Sequence, residues 1–564
     1  QERDTLADKG LPLAPSVRRR LLDERFMIYN AIAAPSHHLW ISYAMADEEG
    51  KSLHPSELIR HLRVMFPLLQ ERTLSSEPTT EMSRDEQLSF VIRPAAVLPY
   101  LNAQLRAWQQ GAELDAIWWD IYNWFAIRPD WQEPLRQRTA ALGYTNEVQP
   151  LDPETARQLY GERLRASVSR MERFVSCPFQ HFAVYGLRLE ERPIYRLEAP
   201  DVGQLFHAAL SRVADRFGKR WGAVTEQQAV DVVAETVEAI APRLQSEILL
   251  SSGRHRYMLV KLKAIITQAA LMLADHARRA AFHPVGLEVD FGPEGQLPPL
   301  IIPTPEGGEV ELVGRIDRVD AAETDEGLLL RVMDYKSSST SLRMEEVAFG
   351  LSLQMLAYLD VLLTHGSAWL GQEVKPAGVL YFHVHNPLLS SSGGMDREEA
   401  RKQRLKKFKP KGLLVADERV VRLMDSELES GHSEVLPLAI KKDGSFYSTS
   451  SVLAEEGWES LRVSVRQAIG RIGGAIGCGA VSISPYRMGG KSPCTFCSYK
   501  PVCQFDPLYE GNEYAKLPKL GRDEVWSVLR PQQGDGEPNV HVRETAAAAE
   551  AFMTRGNGND RRNV

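Results

Sequence analysis

Gly314-Arg315-Ile316-Asp317-Arg318-Val319-Asp320 and Val332-Met333-Asp334-Tyr335-Lys336-Ser337-Ser338 are the two stretches on which the reading of this chain turns. Each closes a β-rich run, and one hairpin separates them. Side chains two apart on a strand share a face, so Asp334 and Lys336 point the same way. Asp317, on the neighbouring strand, completes a carboxylate pair. Such a pair offers hard oxygen donors, which suit Mg²⁺ or Mn²⁺. A lysine beside the ions orients an attacking water and stabilises charge growing on a phosphoryl oxygen. An isolated Asp-x-Lys is more often a surface hairpin with an ordinary salt bridge, so its company decides.

That company is specific. The helix expected over Leu351–Leu363 carries Gln354 and Tyr358 on one face, four residues apart. Upstream, Gly203-Gln204-Leu205-Phe206-His207 opens another helix, whose histidine is a candidate further metal ligand. Helical patterns over Gly203–Phe217 and Gln227–Ile240 precede strand-like runs at Val310–Val319, Leu328–Tyr335 and Ala377–His383. Strand, strand, helix, strand within a shell of helices is an α/β arrangement with a mixed sheet.

The cysteines are unevenly spread. Cys494, Cys497 and Cys503 stand as C-x₂-C-x₅-C, and Cys177 lies far upstream in Phe174-Val175-Ser176-Cys177-Pro178-Phe179. Four thiolates divided three and one suit a [4Fe–4S] cluster. Zinc also takes four thiolates, though usually as two local pairs. A cluster so connected would clamp the start of its domain to the end, with a structural role. Cys478 has no partner pattern and reads as a small buried residue.

In order and spacing, G-x-x-x-H, G-R-I-D-R, D-Y-K-S and Q-x-x-x-Y resemble the PD-(D/E)xK nucleases of the RecB type. The resemblance implies that Asp317, Asp334, the backbone carbonyl of Tyr335 and His207 bind metal. It also implies that Lys336 assists catalysis, with Gln354 and Tyr358 beside the site. Glu288 falls where some relatives carry an acidic residue, and equally reads as a surface glutamate. With the cysteine framework, Ser167-Val168-Ser169-Arg170-Met171-Glu172 and Tyr185-Gly186-Leu187, the chain to about residue 510 is similar to the iron–sulfur nuclease domain of AddAB-type helicase–nucleases, in their B chain.

Farther forward, Leu22-Asp23-Glu24-Arg25-Phe26-Met27-Ile28-Tyr29-Asn30-Ala31-Ile32 resembles the last signature motif of superfamily 1 helicases. Working members continue into Thr-Arg, where this chain has Ala33 and Ala34. Loss of that arginine implies poor ATP hydrolysis. Residues 1–160 are therefore expected to be the end of a degenerate, mostly helical helicase-like domain, with one strand at Leu39–Tyr43. Residues 161–515 are expected to form the nuclease domain, and residues 530–564, rich in Gly, Ala, Asn and charge, a disordered tail. The opening at Gln1 suggests a piece of a longer protein.

Composition narrows the classes. At 564 residues the chain exceeds a single core. No uninterrupted apolar run reaches the roughly eighteen residues of a membrane-spanning helix, and no signal peptide is evident, so no membrane partner and a cytoplasmic, nucleoid-associated location are expected. The net charge of −7 gives no global case for nucleic acid, but Arg401–Lys411 holds seven basic residues in eleven. That run reads either as a solvated loop or as a DNA-backbone contact. The resemblance implies a Mg²⁺-dependent exonuclease or endonuclease cutting the unwound, 5′-ended single strand. It further implies help in Chi recognition during recombination, and a motor A subunit as heterodimer partner. The alternative is a non-catalytic DNA-binding scaffold.

Overall fold

The computed structural model describes residues 14–529 apart from 15, 48–49, 80, 144, 193, 245–246, 391–394 and 509–511, together with Thr5, Leu6, Asp8, Gly10 and Phe552. Two compact units divide the chain, residues 1–144 and 145–564.

The first unit is helical. Pro94–Gln109, Ala116–Ala126 and Pro129–Ala140 pack Val97, Leu101, Trp118, Phe125 and Leu135 into one small core. Trp118 is fully buried, and its indole N–H donates to Gln87 Oε1 at 2.6 Å, so no polar group is stranded. The helix Val17–Ala33 is capped by Ser16 and buries none of its side chains among the described residues. Leu39–Tyr43 is not a strand. Its apolar residues are exposed and no neighbouring segment offers it a ladder; the one bridge nearby joins Ala46 to Ser52. The helix Pro153–Tyr160 lies before the boundary expected at residue 160, yet buries Ala156 and Tyr160 in the core of the second unit.

In the second unit the elements that matter are α1 (Val168–Ser176), α2 (Ala199–Phe217), α3 (Gly253–Arg279), β1 (His283–Phe291), β2 (Gly314–Thr324), β3 (Gly327–Lys336), α4 (Gln354–Leu370), β4 (Val374–His383), α5 (Arg397–Lys407), β5 (Lys411–Val415), β6 (Val452–Leu453) and α6 (Glu455–Gly477). The strands form one mixed sheet in the order β6-β5-β4-β3-β2-β1. β3 runs antiparallel to β2 and parallel to β4, with α4 as the crossover between the parallel pair. Leu328 to Tyr335 are all buried, because β3 is central and covered on both faces. One face packs against α4 and α6; the other packs against α2 and α3.

The single run expected at Val310–Val319 is two strands. Glu309–Leu312 belongs to a small sheet with Leu164–Ala166 and Leu300–Pro303. At Val313, whose N–H donates to Ala166 O, the chain crosses into β2. α6 lies against this small sheet on its glycines: a Cβ at Gly470 would sit 2.6 Å from Pro303 O, and one at Gly473 would sit 2.1 Å from Val310 Cγ2.

Three further expectations meet the structure here. α3 is long and apolar enough to cross a membrane by length and composition, but its apolar side is core: Leu262, Ile266, Ala269, Ala270 and Leu273 are buried. The basic run Arg401–Lys411 is no loop; it is the second half of α5 and the start of β5, anchored by buried Leu405 and Phe408. The tail expected to be disordered lies outside the described residues except for Phe552, which is buried and meets the Phe349 ring edge-on at 5.9 Å.

Candidate active site

β2 and β3 pair from Thr324↔Gly327 as far as Arg318↔Met333 and then part. Asp317 and Asp334 are the next residues on each strand, so both carboxylates stand at the mouth of the gap. Asp317 Oδ2 accepts the Tyr335 N–H at 3.3 Å, a side chain taking the place of the missing ladder bond. It also lies 2.9 Å from His207 Nδ1. His207 reaches the gap because α2 buries Leu205, Phe206, Ala209 and Leu210 against the sheet and leaves the next position facing β2. Lys336 Nζ is 2.8 Å from Asp334 Oδ2 and 5.7 Å from the Tyr381 ring. The side chain of Asp334 is 2% exposed and that of Lys336 is 25% exposed, so the site has a buried floor and an open rim.

Electrostatics follow from this crowding. Burial, then the negative charge of Asp317, push the Asp334 carboxyl up to about 7 against the pull of Lys336. Burial alone would depress His207, but the hydrogen bond to Asp317 and its charge outweigh that, and the net shift is upward. His207 and Lys336 thus neutralise two carboxylates that could not otherwise stay charged so close together.

The opposite face contributes a wall. Gln354 Nε2 donates to Tyr358 Oη at 3.2 Å, and burial pushes the Tyr358 phenol up to about 12. Leu353, the cap residue of α4, has no side-chain oxygen to offer. Glu172 of α1 supplies one: its Oε1 accepts the N–H groups of Leu353 at 2.6 Å and Gln354 at 3.0 Å. Burial pushes this carboxyl up to about 7, against those two bonds and the attraction of Lys336. Nothing in the sequence assigned Glu172 a role of its own within the stretch from Ser167. The available signal was an acidic residue on the buried side of an amphipathic helix, next to Met171.

Glu288 is also at the site. It sits on β1 between the pairs Leu287↔Arg318 and Val289↔Ile316, opposite Asp317. Its backbone is left-handed, with φ of 48°, a conformation that costs a non-glycine residue. Burial and then Asp317 raise its carboxyl. Behind the gap, Asp320 accepts from Arg318 and Arg331, each at 2.6 Å, and Arg318 donates to Tyr335 Oη at 3.2 Å. This fully buried ion cluster fixes the ring of the residue between Asp334 and Lys336.

The sequence-expected residues Asp317, Asp334, Tyr335, Lys336, His207, Gln354 and Tyr358 therefore lie around one gap. Among the described residues no three His, Cys, Asp or Glu side chains close into a ready-made metal cage. The donor chemistry nonetheless suits a hard divalent ion: carboxylate oxygens and one imidazole, now held by a lysine and a histidine that a cation of higher charge could displace.

The cysteines form a second centre. Cys177 ends α1, Cys494 and Cys497 flank a short turn, Cys503 closes the helix Lys500–Cys503, and all four line one pocket with Phe179, Ile483 and Tyr499. None is in a disulfide; Cys177 and Cys503 are buried. Burial, and the neighbouring thiols Cys497 and Cys494, raise the Cys503 thiol. A cubane cluster holds its thiolates farther apart than one ion does, so a shared pocket with no tight cage fits the cluster better than zinc. Cys478 sits at the end of α6, half-buried where full burial was expected, and apart from this pocket.

Comparison with known proteins agrees with this geometry. The family model of the PD-(D/E)XK nuclease superfamily matches residues 165–504, and that of the ATP-dependent helicase/deoxyribonuclease AddB fifth domain matches residues 83–141. The B subunit of the ATP-dependent helicase/deoxyribonuclease of Geobacillus kaustophilus is 46% identical over 533 residues, 94% of this chain and 46% of that protein. Its counterpart from Bacillus subtilis is 44% identical over 538 residues, 95% of this chain and 46% of that protein. The chain thus spans about half the length of the curated relatives it matches. With the gap between β2 and β3, its carboxylates and lysine, and a family match covering most of its length, this chain belongs to the PD-(D/E)XK nuclease superfamily.

Proposed function

We propose that this chain carries the DNA-cutting site of a Mg²⁺-dependent nuclease in a bacterial helicase–nuclease that processes double-strand breaks. The observation that supports it most is the meeting of Asp317, Asp334, His207 and Lys336 where β2 and β3 part. Asp317, Asp334 and His207 would hold Mg²⁺ or Mn²⁺. The Tyr335 carbonyl joins them, because in an antiparallel ladder a residue's N–H and C=O face the same neighbour, and its N–H already faces Asp317. Bound there, the metal supplies a nucleophilic water at neutral pH and positive charge beside the phosphoryl group. Lys336 orients that water and faces the oxygen on which charge grows. Gln354 and Tyr358 position the strand or the lysine from the α4 side.

The relatives' printed name supports the wider reading: one of two unlike chains, acting with a motor A subunit as a heterodimer, in the cytoplasm at the nucleoid. In that setting the substrate is the unwound single strand, 5′-ended, and the helical first unit takes part in Chi recognition. ATP hydrolysis falls to the partner, since Ala33 and Ala34 replace the Thr-Arg of working motors. Cys177, Cys494, Cys497 and Cys503 hold a [4Fe–4S] cluster that ties the two ends of the nuclease domain together.

The test is cleavage of end-labelled single-stranded DNA with Mg²⁺ by the wild-type protein and by Asp334→Asn, with folding checked by circular dichroism. Loss of cutting in a folded variant supports the site. A variant that cuts at the wild-type rate removes it, and a wild-type protein that binds but never cuts favours the scaffold alternative.

A further inference from the structure

The sheet register places a lysine outside the catalytic group in line with it. Asp334 pairs with Tyr381 on β4, and Tyr381 pairs with Lys411 on β5. Residues opposite one another across a sheet share a face. Here the alternation agrees, since Val332, Val379, Tyr381 and Leu413 all belong to the core on the α4 side. At about 4.8 Å per strand, Lys411 stands about 10 Å from Asp334 on the same face. Its exposed ammonium donates to Ser339 Oγ at 3.2 Å, on the segment that follows Lys336.

The row continues onto α5. Phe408, just beyond that helix, packs on Phe382 at 5.8 Å and stacks on His385 at 4.8 Å. That contact holds the C-terminal turn of α5 at the end of β4 where the site lies. Arg404, Lys406 and Lys407 are on this turn, and Lys406 and Lys407 are exposed. Arg401 and Lys402 are occupied by Asp275 and Glu398, whereas Lys406, Lys407 and Lys411 have no acidic partner among the described residues. The helix dipole favours basic residues in a last turn, which accounts for Lys406 and Lys407 but not for Lys411 in the strand row.

Resting on the nuclease reading above, we infer that Lys411, Lys407 and Lys406 form the track that carries the phosphate backbone of the single strand to or from Asp334. Exposed, unpaired cations in line with a phosphodiester-cutting site are what a polyphosphate needs: contacts that fix its path without reading bases. The row gives the bound strand a direction, across the sheet from β3 over Tyr381 toward β5.

The experiment measures binding of a labelled oligothymidine to the full-length protein without divalent metal, so that nothing is cut, over a series of KCl concentrations. Each phosphate contact on a single strand contributes about 0.7 to the slope of log K against log salt. Replacing Lys406, Lys407 and Lys411 together by Gln should make the slope shallower by about 2. The same replacement at three exposed lysines outside the row, Lys219, Lys442 and Lys516, should leave it unchanged. An unaltered slope in the first variant, or an equal loss in the second, overturns the track. Adding Mg²⁺ to the wild-type protein tests the nuclease reading separately: failure to cut defeats that reading, whereas cutting with an unaltered slope defeats only the track.

Discussion

The Glu172 carboxylate accepts the backbone N–H of Gln354 at 3.0 Å, and so one helix caps another that begins 182 positions later. The first N–H groups of α4 would otherwise be orphaned next to a buried leucine. The same bond fixes the start of the helix bearing Gln354 and Tyr358, and brings a third acidic group within the field of Lys336.

Glu172→Ala is therefore expected to lower thermal stability by about 1–2 kcal/mol, the usual cost of a lost cap. It should also slow DNA cutting by about tenfold through misplacement of α4. Glu172→Gln keeps an acceptor oxygen and should recover most of both. Melting temperature and single-turnover cleavage read the two effects. An Ala variant that melts and cuts like wild type would show that the cap matters to neither.

Cys503→Ser should strip the cluster. Wild-type protein purified without oxygen should be brown and hold about four irons, the content of a [4Fe–4S] centre. The variant should lose both colour and iron. Colourless, zinc-loaded wild-type protein would replace the cluster by zinc.

His276 gives stability a pH dependence of definite sign. It is buried against Phe382 between Arg331 and Arg318, and burial first, then Arg331, depress it from 6.5 to about 3. Between those values the unfolded chain takes up a proton that the folded chain refuses. Stability is therefore lost as pH falls below 6.5, by about 1.4 kcal/mol per unit for this group. Comparing wild type with His276→Leu by denaturant unfolding at pH 7 and pH 5 isolates the effect from the carboxyls that titrate in the same range. The variant should lose less stability on acidification. Parallel losses in the two proteins would mean that His276 is not held neutral.

Gly470→Ala tests the seat of α6 on the small sheet. Its new methyl would lie 2.6 Å from a backbone oxygen, Pro303 O, which cannot rotate away as a side chain can. Destabilisation of about 1–3 kcal/mol is expected, although Ala is the better helix former. A stabilised variant would place that strand farther from α6.

Much of the site was legible because its chemistry is local. Asp334 and Lys336 needed only the period of a strand, and β3, β4, α2 and α4 announced themselves by apolar runs that the folded core uses. Asp317 could be paired with Asp334 from the hairpin alone. What the hairpin could not reveal is that the strands part at those two residues. Glu172 and Glu288 were harder to read, since each joins the site through a long-range contact: a cap donated across helices, and a left-handed residue on an edge strand. The strand expected at Leu39–Tyr43 failed for the opposite reason. Its composition suits a strand, but a strand forms only where a partner and a core receive it. The basic run at Arg401–Lys411 was read by charge, which hid Leu405 and Phe408, the two residues that fold it.

The most direct measurement is the cleavage rate of end-labelled single-stranded DNA with Mg²⁺, using iron-loaded full-length protein, for wild type against Lys336→Ala. The account predicts that wild type cuts and that the folded variant, its carboxylates intact, is slower by about 10²–10³-fold, the cost of losing one group that stabilises the transition state. Equal rates in the two proteins would contradict it.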